Sequence, residues 1–220
     1  LCGSVLWLRY GTLPDLFENA CRTFEKLGYR LELGPNCMAE EGVGISNTPE
    51  ECAAELMEYY RKAENDVLIS CGMMRRAIDE GQRLLELCEN DNLGVRYQLM
   101  HLYAYMEDEM HALALHKQFD SYEETQMLLP LAVLYYKLNQ FDKAEDYIKR
   151  LAKANKDTKK FLRAAARDQL DDYIGEMSPY GYQPFTMEEL LDELMKSSYL
   201  FESVPYFFTW ANKVLTAKSA

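Results

Sequence analysis

The stretch that decides the fold is LLPLAVLYYKLNQFDKAEDYIKRLAKAN, residues 128–155. Its apolar residues recur at helical spacing on both sides of a polar break at Asn139 and Gln140, which predicts two amphipathic helices joined by a short turn. Ala144 is the small residue at which the second helix is expected to cross the first. Its expected companions are Leu128, Leu131, Ala132, Tyr135, Ile148 and Leu151. Alternating large and small residues of this kind favour closely interlocked helix pairs.

This helix pair resembles a tetratricopeptide repeat, and a second pair lies upstream. The predicted helices Leu93 to Met106 and Met110 to Phe119 place Leu99, Tyr103, Ala112 and Phe119 where the first pair has Leu131, Tyr135, Ala144 and Leu151. The offset from Ala112 to Ala144 is 144 − 112 = 32 residues, close to the period of about 34 of tetratricopeptide repeats. We therefore predict two repeats, with Met73 to Glu89 as the second helix of a third. The resemblance implies a scaffold for protein contacts, without a reaction of its own.

Residues 71–215 as a whole resemble a group of uncharacterised bacterial tetratricopeptide-like proteins. The marks of this group lie in ENDNLGVRYQL, preceded by CGMMRRAI and followed by SPYGYQPFTMEEL. They are Asn90, Asp91, Asn92, Gly94 and Arg96. The resemblance implies the fold and no known reaction. Arg96 is expected either to hold Asp91 or the preceding helix end, or to bind a carboxylate of a partner.

The first 72 residues have a different texture. Short apolar runs at Val5 to Tyr10, Arg30 to Leu33 and Asp66 to Ser70 alternate with the predicted helix Pro14 to Leu27 and with a helix that starts near Thr48. This order of strand and helix favours a small three-stranded parallel sheet, since parallel neighbours require crossover connections. The predicted fold class is thus mainly α. A small α/β segment, residues 1–72, precedes a tetratricopeptide-like helical domain, residues 73–220, with a C-terminal capping region.

Residues 13–72 resemble the amino-terminal part of LD-carboxypeptidases of the microcin-immunity type. The resemblance rests on FENACRTFEKLGYRLELGPN and on GISNTPEECAAELMEYYRKAENDVLISCG. In that family a glycine pair follows the third strand, whereas Gly72 is followed here by Met73, and no serine matches the family's nucleophile. The resemblance implies a fold fragment without the activity. Hydrolysis of a peptidoglycan peptide is kept as the alternative function.

Composition narrows the classes of partner and cofactor. The formal net charge of −12 disfavours a nucleic-acid partner, because a polyanion is repelled on average. No apolar run approaches the roughly 20 residues of a membrane-spanning helix. The six cysteines are scattered singly, without a CxxC pair or a histidine cluster, so we predict no metal, no cofactor and a reducing, cytoplasmic location.

The predicted binding surface is a groove lined by the first helix of each repeat. We call its residues the groove face: Tyr97, His101, Tyr105, Gln126, Leu129, Val133, Tyr136 and Lys137. Tyrosine suits peptide binding, because it offers a flat apolar face and a hydroxyl group. The competing interpretation is that Tyr105 and Tyr136 pack against neighbouring helices. We predict a non-catalytic scaffold that binds a protein or peptide, with an oligomerisation module as a further alternative.

Three local predictions concern the C-terminal third. Phe161 to Met177 is expected to form one helix, and Thr186 with Glu189 is expected to form a capping box at the start of the next helix. The aromatic stretch Tyr199 to Leu215 is expected to cap the open end of the helical stack, since terminal repeats are usually atypical.

Overall fold

The computed structural model describes residues 61–62, 65–87, 91, 93–178 and 182–217. These ranges are mainly helical, and no strand occurs within them. The chain divides into two compact units, residues 1–95 and 96–220. The strands predicted at Val5 to Tyr10 and Arg30 to Leu33, and the helices predicted between them and residue 60, lie outside the described residues. The predicted boundary after residue 72 stays a prediction.

The third predicted strand, Asp66 to Ser70, is wrong, because residues 65–70 are helical. This helix ends at Gly72, whose φ of 71° lies in the left-handed region that glycine adopts without strain. The amide of Gly72 donates to the carbonyl of Ile69, and the amide of Met73 donates to that of Leu68. These two bonds are the Schellman arrangement, which satisfies carbonyl groups at a helix end. The local cap therefore outweighs the strand propensity of Val67 and Ile69.

Helix α1, Met74–Leu87, follows in the first unit. Its buried face carries Ala77 and Leu84, as the apolar spacing predicts. The nearly buried Glu80 carboxylate accepts from Arg61 at 3.0 Å and from Arg83 at 3.3 Å. The helix predicted from Met73 is confirmed.

The described part of the second unit contains two pairs of helices, followed by five further helices. The pairs are α2, Val95–Met106, with α3, Glu109–Gln118, and α4, Thr125–Lys137, with α5, Phe141–Ala154. The later helices are α6, Thr158–Ala165; α7, Asp171–Ile174; α8, Met187–Lys196; α9, Ser198–Glu202; and α10, Phe207–Thr216.

The turns inside the two pairs have the same backbone geometry. Glu107 and Asn139 both have a positive φ, of 60° and 58°. The amide of Asp108 donates to the carbonyl of Tyr103 at 2.9 Å, and the amide of Gln140 donates to that of Tyr135 at 2.9 Å. In both comparisons the offset is 32 residues (139 − 107 and 140 − 108), which equals the offset found between Ala112 and Ala144. The turn predicted at Asn139 and Gln140 is confirmed.

Helix α4 is the centre of this unit, because all of its residues from Thr125 to Tyr135 are buried. A helix that is apolar all round must be covered on every side. Helix α5 covers one side and packs closely against α4, with Ala144 fully buried between larger side chains. Helices α3 and α8 also contact α4. Burial of the segment LLPLAVLYY therefore requires contacts with more than one neighbouring helix.

Polar side chains tie the second helix pair to the first. Lys143 on α5 bonds Glu109 on α3 at 3.0 Å, and Arg150 on α5 bonds Glu123 at 3.0 Å. Hydrogen bonds from these cations lower the pKa of both carboxyl groups. All four side chains are at least partly exposed to solvent, so each pair contributes little to stability.

The helix predicted from Phe161 to Met177 is wrong in its length. Helix α6 ends at Ala165, and Asp168 adopts a φ of 57° before the short helix α7 begins at Asp171. The amide of Gln169 donates back to the carbonyl of Ala164, which closes the turn. The left-handed residue ends the helix, as an aspartate tolerates such a conformation better than most side chains.

We predict that Ala144→Leu destabilises the second unit by about 1–3 kcal/mol, because added methylene groups overpack the contact between α4 and α5. The measurement is the midpoint of urea or thermal unfolding. Ala114→Leu is the matched control, since Ala114 is a helical and exposed position on α3. Equal midpoints for the two variants would contradict the close crossing at Ala144.

Candidate functional site

Helix α8 carries two carboxylates one turn apart into the interior. The chain is extended at Thr186, with a φ of −127° and a ψ of 179°, and the helix begins at Met187. Leu190 and Leu191 are buried by the amphipathic pattern of the helix. Glu189 and Glu193 are also buried, at 3% and 4% exposure. Buried carboxylates are costly unless they are hydrogen-bonded, so their partners define the site.

The Glu189 carboxylate accepts four hydrogen bonds. The Oγ1 of Thr125 donates at 2.6 Å and the Nε2 of Gln126 at 3.1 Å, both from the start of α4. The Nδ2 of Asn155 donates at 3.1 Å from the end of α5, and the backbone amide of Phe185 donates at 2.9 Å. All four donors are neutral groups. The carboxylate is therefore solvated by fixed dipoles in place of water.

Asn155 is positioned by the turn between α5 and α6. It is the C-cap residue of α5, and its Oδ1 accepts from the amide of Asp157 at 3.0 Å. Its Nδ2 also reaches the carbonyl of Thr186 at 3.0 Å, and the side chain is fully buried. One amide group thus joins the end of α5 to the start of α8.

The capping box predicted from Thr186 and Glu189 is wrong. The Oγ1 of Thr186 donates to the carbonyl of Gln183 and makes no capping bond to α8. Glu189 bonds the amide of Phe185 and the side chains of α4 and α5. Tertiary donors therefore recruit the carboxylate that the local motif assigns to the helix end.

Glu193, one turn further along α8, lies against His101 of α2. The Oε2 of Glu193 is 3.1 Å from the Nε2 of His101, and the Nδ1 of that ring is 2.7 Å from the carbonyl oxygen of Tyr97. The Nδ1 contact has hydrogen-bond geometry, whereas the Nε2 contact with Glu193 does not. Burial, followed by the charge of Glu193, raises the pKa of the Tyr182 hydroxyl. Glu193 is therefore a second buried acidic side chain on this face.

Beyond the two carboxylates, aromatic side chains form further contacts between the groove face and the C-terminal helices. Tyr105 meets Tyr199 edge to face with ring centroids 5.4 Å apart. Tyr136 lies 5.4 Å from the ring of Phe207 and 5.1 Å from that of Trp210. Such pairs add to the stabilisation that burial provides. Helices α9 and α10 thus lie on the groove face, in addition to the contacts that α10 makes with α5 and α6.

The groove face is consequently occupied by the chain's own C-terminal helices. Four of its residues contact them directly: His101, Tyr105, Gln126 and Tyr136. Leu129 and Val133 are fully buried. The interpretation that Tyr105 and Tyr136 pack against neighbouring helices is confirmed. Within the part of the chain that the structure describes, the groove face is not open, and partner binding stays a prediction.

Two residues of the groove face serve contacts between the repeats. The hydroxyl of Tyr97 donates to Glu124 at 2.9 Å, and burial and this bond raise the pKa of Tyr97 to about 12. The ammonium group of Lys137 donates to the carbonyls of Ala104 and Tyr105 at the end of α2. Burial lowers the pKa of Lys137. A cation at the end of a helix satisfies carbonyl groups that lack helical partners.

The motif residues before α2 have local structural roles. The Oδ1 of Asp91 accepts from the amide of Val95 at 2.6 Å, and Gly94 has a φ of 65°. The guanidinium of Arg96 lies 4.2 Å from the ring centroid of Tyr97 and 5.0 Å from that of Phe119. Asn90 and Asn92 lie outside the described residues. Whether Arg96 also binds a partner stays a prediction.

Comparisons with known proteins leave the chain without an assigned family. No protein-family model matches it, and no curated protein and no solved structure matches it significantly. Among the residues that the structure describes, no group of three His, Cys, Asp or Glu side chains could hold a metal ion. None of the described helices has the length and apolar character needed to cross a membrane.

The sequence prediction missed Thr125, Asn155 and Glu193, and it assigned Glu189 to a capping box. One signal could have found them. Helix α4 is apolar on all sides, so its second side needs a cover that the repeats do not provide. Helix α8 is the strongly amphipathic segment left over, and its glutamates at positions 189 and 193 share one face.

We predict that Glu189→Gln destabilises the chain by about 1–3 kcal/mol, because an amide group at this position faces four donors and leaves a buried donor unsatisfied. The measurement is the free energy of unfolding from urea titration. Glu188→Gln is the matched control, since Glu188 lies one residue away, is partly exposed and accepts one bond from the amide of Gln183. Equal losses for the two variants would contradict the assignment of Glu189 as the buried anion.

Proposed function

We propose that this chain is a non-catalytic protein-interaction module of tetratricopeptide-like architecture, which binds a helical segment of a partner on its groove face. The repetition of turn geometry at 32 residues supports the repeat architecture. The exposed Cys71 thiol is free, which supports action in a reducing compartment such as the cytoplasm.

The observation that carries the proposal is the way in which α8 is held. Side chains from three helices of the repeats reach one helix: His101 from α2, Gln126 from α4 and Asn155 from the end of α5. A face that seats its own helix through specific hydrogen bonds is equipped to seat a similar helix from another protein. In the present conformation α8 occupies that place, so a partner binds by exchange with it.

The chemistry of the face favours binding over catalysis. The groups around Glu189 are hydrogen-bond donors already committed to its oxygens. Around Glu193 lie His101 and the hydroxyl of Tyr182, whose pKa is raised by burial and so stays protonated at neutral pH. This arrangement stabilises existing negative charge, whereas a hydrolase needs an activated nucleophile beside donors for a developing charge.

Photo-crosslinking tests the proposal. A benzophenone amino acid replaces Tyr97 in the full chain, expressed in a bacterium, and the products are separated by mass. We expect adducts with a partner protein, because Tyr97 lies beside the place of α8: its hydroxyl bonds Glu124, next to Thr125, and its carbonyl contacts His101. Met110→benzophenone is the matched control, since Met110 is 70% exposed on α3 and belongs to no part of the groove face. Adducts from position 110 alone, or from neither position, would contradict the proposal.

A further inference from the structure

The donors around Glu189 form a receptor for a carboxylate. The Oγ1 of Thr125, the Nε2 of Gln126 and the Nδ2 of Asn155 converge on one anion, and all three side chains are at most 6% exposed. If α8 leaves, these donors lose their acceptor. A buried donor without a partner is costly, so the site must be filled by water or by another acceptor. An incoming carboxylate restores every bond that Glu189 makes with these side chains.

A second receptor lies one helical turn away. His101 is 2% exposed, and its Nε2 lies 3.1 Å from the Oε2 of Glu193, a close contact that does not have hydrogen-bond geometry. Residues four apart lie on the same face of a helix, so one ligand helix reaches both receptors at once. A carboxylate at only one of these positions leaves the other receptor without its anion.

We propose that the groove face selects an acidic amphipathic helix with two carboxylates four residues apart, and that α8 is the chain's own competitor for this site. The inference rests on the proposed function and adds the chemistry of the partner and its regulation. The recognised pattern is that of α8, in which Glu189 and Glu193 flank the buried Leu190 and Leu191. The occupant is a helix of another protein.

The segment that leads into α8 favours exchange. Phe185 has a φ of 60° and is 49% exposed. The left-handed region is a strained conformation for a bulky aromatic residue. The bond from its amide to Glu189 and the helix that follows hold it there. Release of α8 removes this strain, which lowers the cost of displacement by a partner.

Because of the net charge of the chain, binding of an acidic helix should have a characteristic dependence on salt concentration. A chain of charge −12 repels an acidic peptide at long range, and salt screens this repulsion. Contacts with buried receptors are screened much less. An acidic ligand should therefore associate faster as the salt concentration rises, while its dissociation changes little.

The experiment uses a fluorescent peptide with the sequence of residues 182–202 and the full chain as receiver. Two further peptides carry E189Q with E193Q, or E188Q with D192N. These two altered peptides have the same net charge. A difference in their affinities therefore reports recognition of the two buried carboxylates, and not the overall charge of the peptide. Receivers are the parent chain and the variants Glu189→Gln and Glu193→Gln, in which α8 is weakened. Circular dichroism establishes that each receiver is folded. If Glu189→Gln does not fold, Glu193→Gln is used as the weakened receiver.

We expect the unaltered peptide to bind the weakened receivers at least tenfold more tightly than the parent chain. We expect the E189Q/E193Q peptide to bind at least tenfold more weakly than the unaltered one, and the E188Q/D192N peptide to stay within about threefold of it. Equal affinity for all three peptides would contradict the inference that the two carboxylates are recognised, but it would leave the proposed binding on the groove face standing. Absence of binding by every peptide to every folded receiver would overturn both proposals.

Discussion

The hydrogen bonds that hold the Glu189 carboxylate are the constraint on which the second unit depends. A buried anion must be solvated by the protein, and here Thr125, Gln126, Asn155 and the amide of Phe185 replace water. These bonds fix the start of α4, the end of α5 and the start of α8 at one point. The apolar contacts of α8 and the aromatic contacts of α9 and α10 then follow along the groove face. Loss of the Glu189 carboxylate is therefore expected to weaken the packing of α8, α9 and α10.

The helices of the repeats could be predicted from the sequence because their information is local. Apolar spacing places α4 and α5, and the polar pair Asn139 and Gln140 marks their turn. The same reasoning fails where a tertiary partner competes with a local motif. Glu189 has the spacing of a capping box, yet donors from α4 and α5 recruit it. Residues 65–70 have strand propensity, yet the left-handed Gly72 ends a helix there.

The closed groove face is the largest difference between prediction and structure. The residues that line it were predicted from repeat geometry, and four of them meet helices α8, α9 and α10. These helices belong to the same chain, which periodicity could not indicate, because contacts between residues 60 or more positions apart leave no local pattern. Under the proposed function, the affinity for a partner would be reduced by the free energy that holds α8 in place.

A double-mutant cycle between Thr125→Val and Glu189→Gln tests the central claim most directly. The free energy of unfolding is measured for the parent, both single variants and the double variant, and a parallel cycle pairs Thr125→Val with Glu188→Gln. If Thr125 and Glu189 form the buried bond, the first cycle gives a coupling energy of about 0.5–3 kcal/mol. The parallel cycle should be additive. Additive effects in both cycles would contradict the account, because they would mean that α8 is not held by this carboxylate.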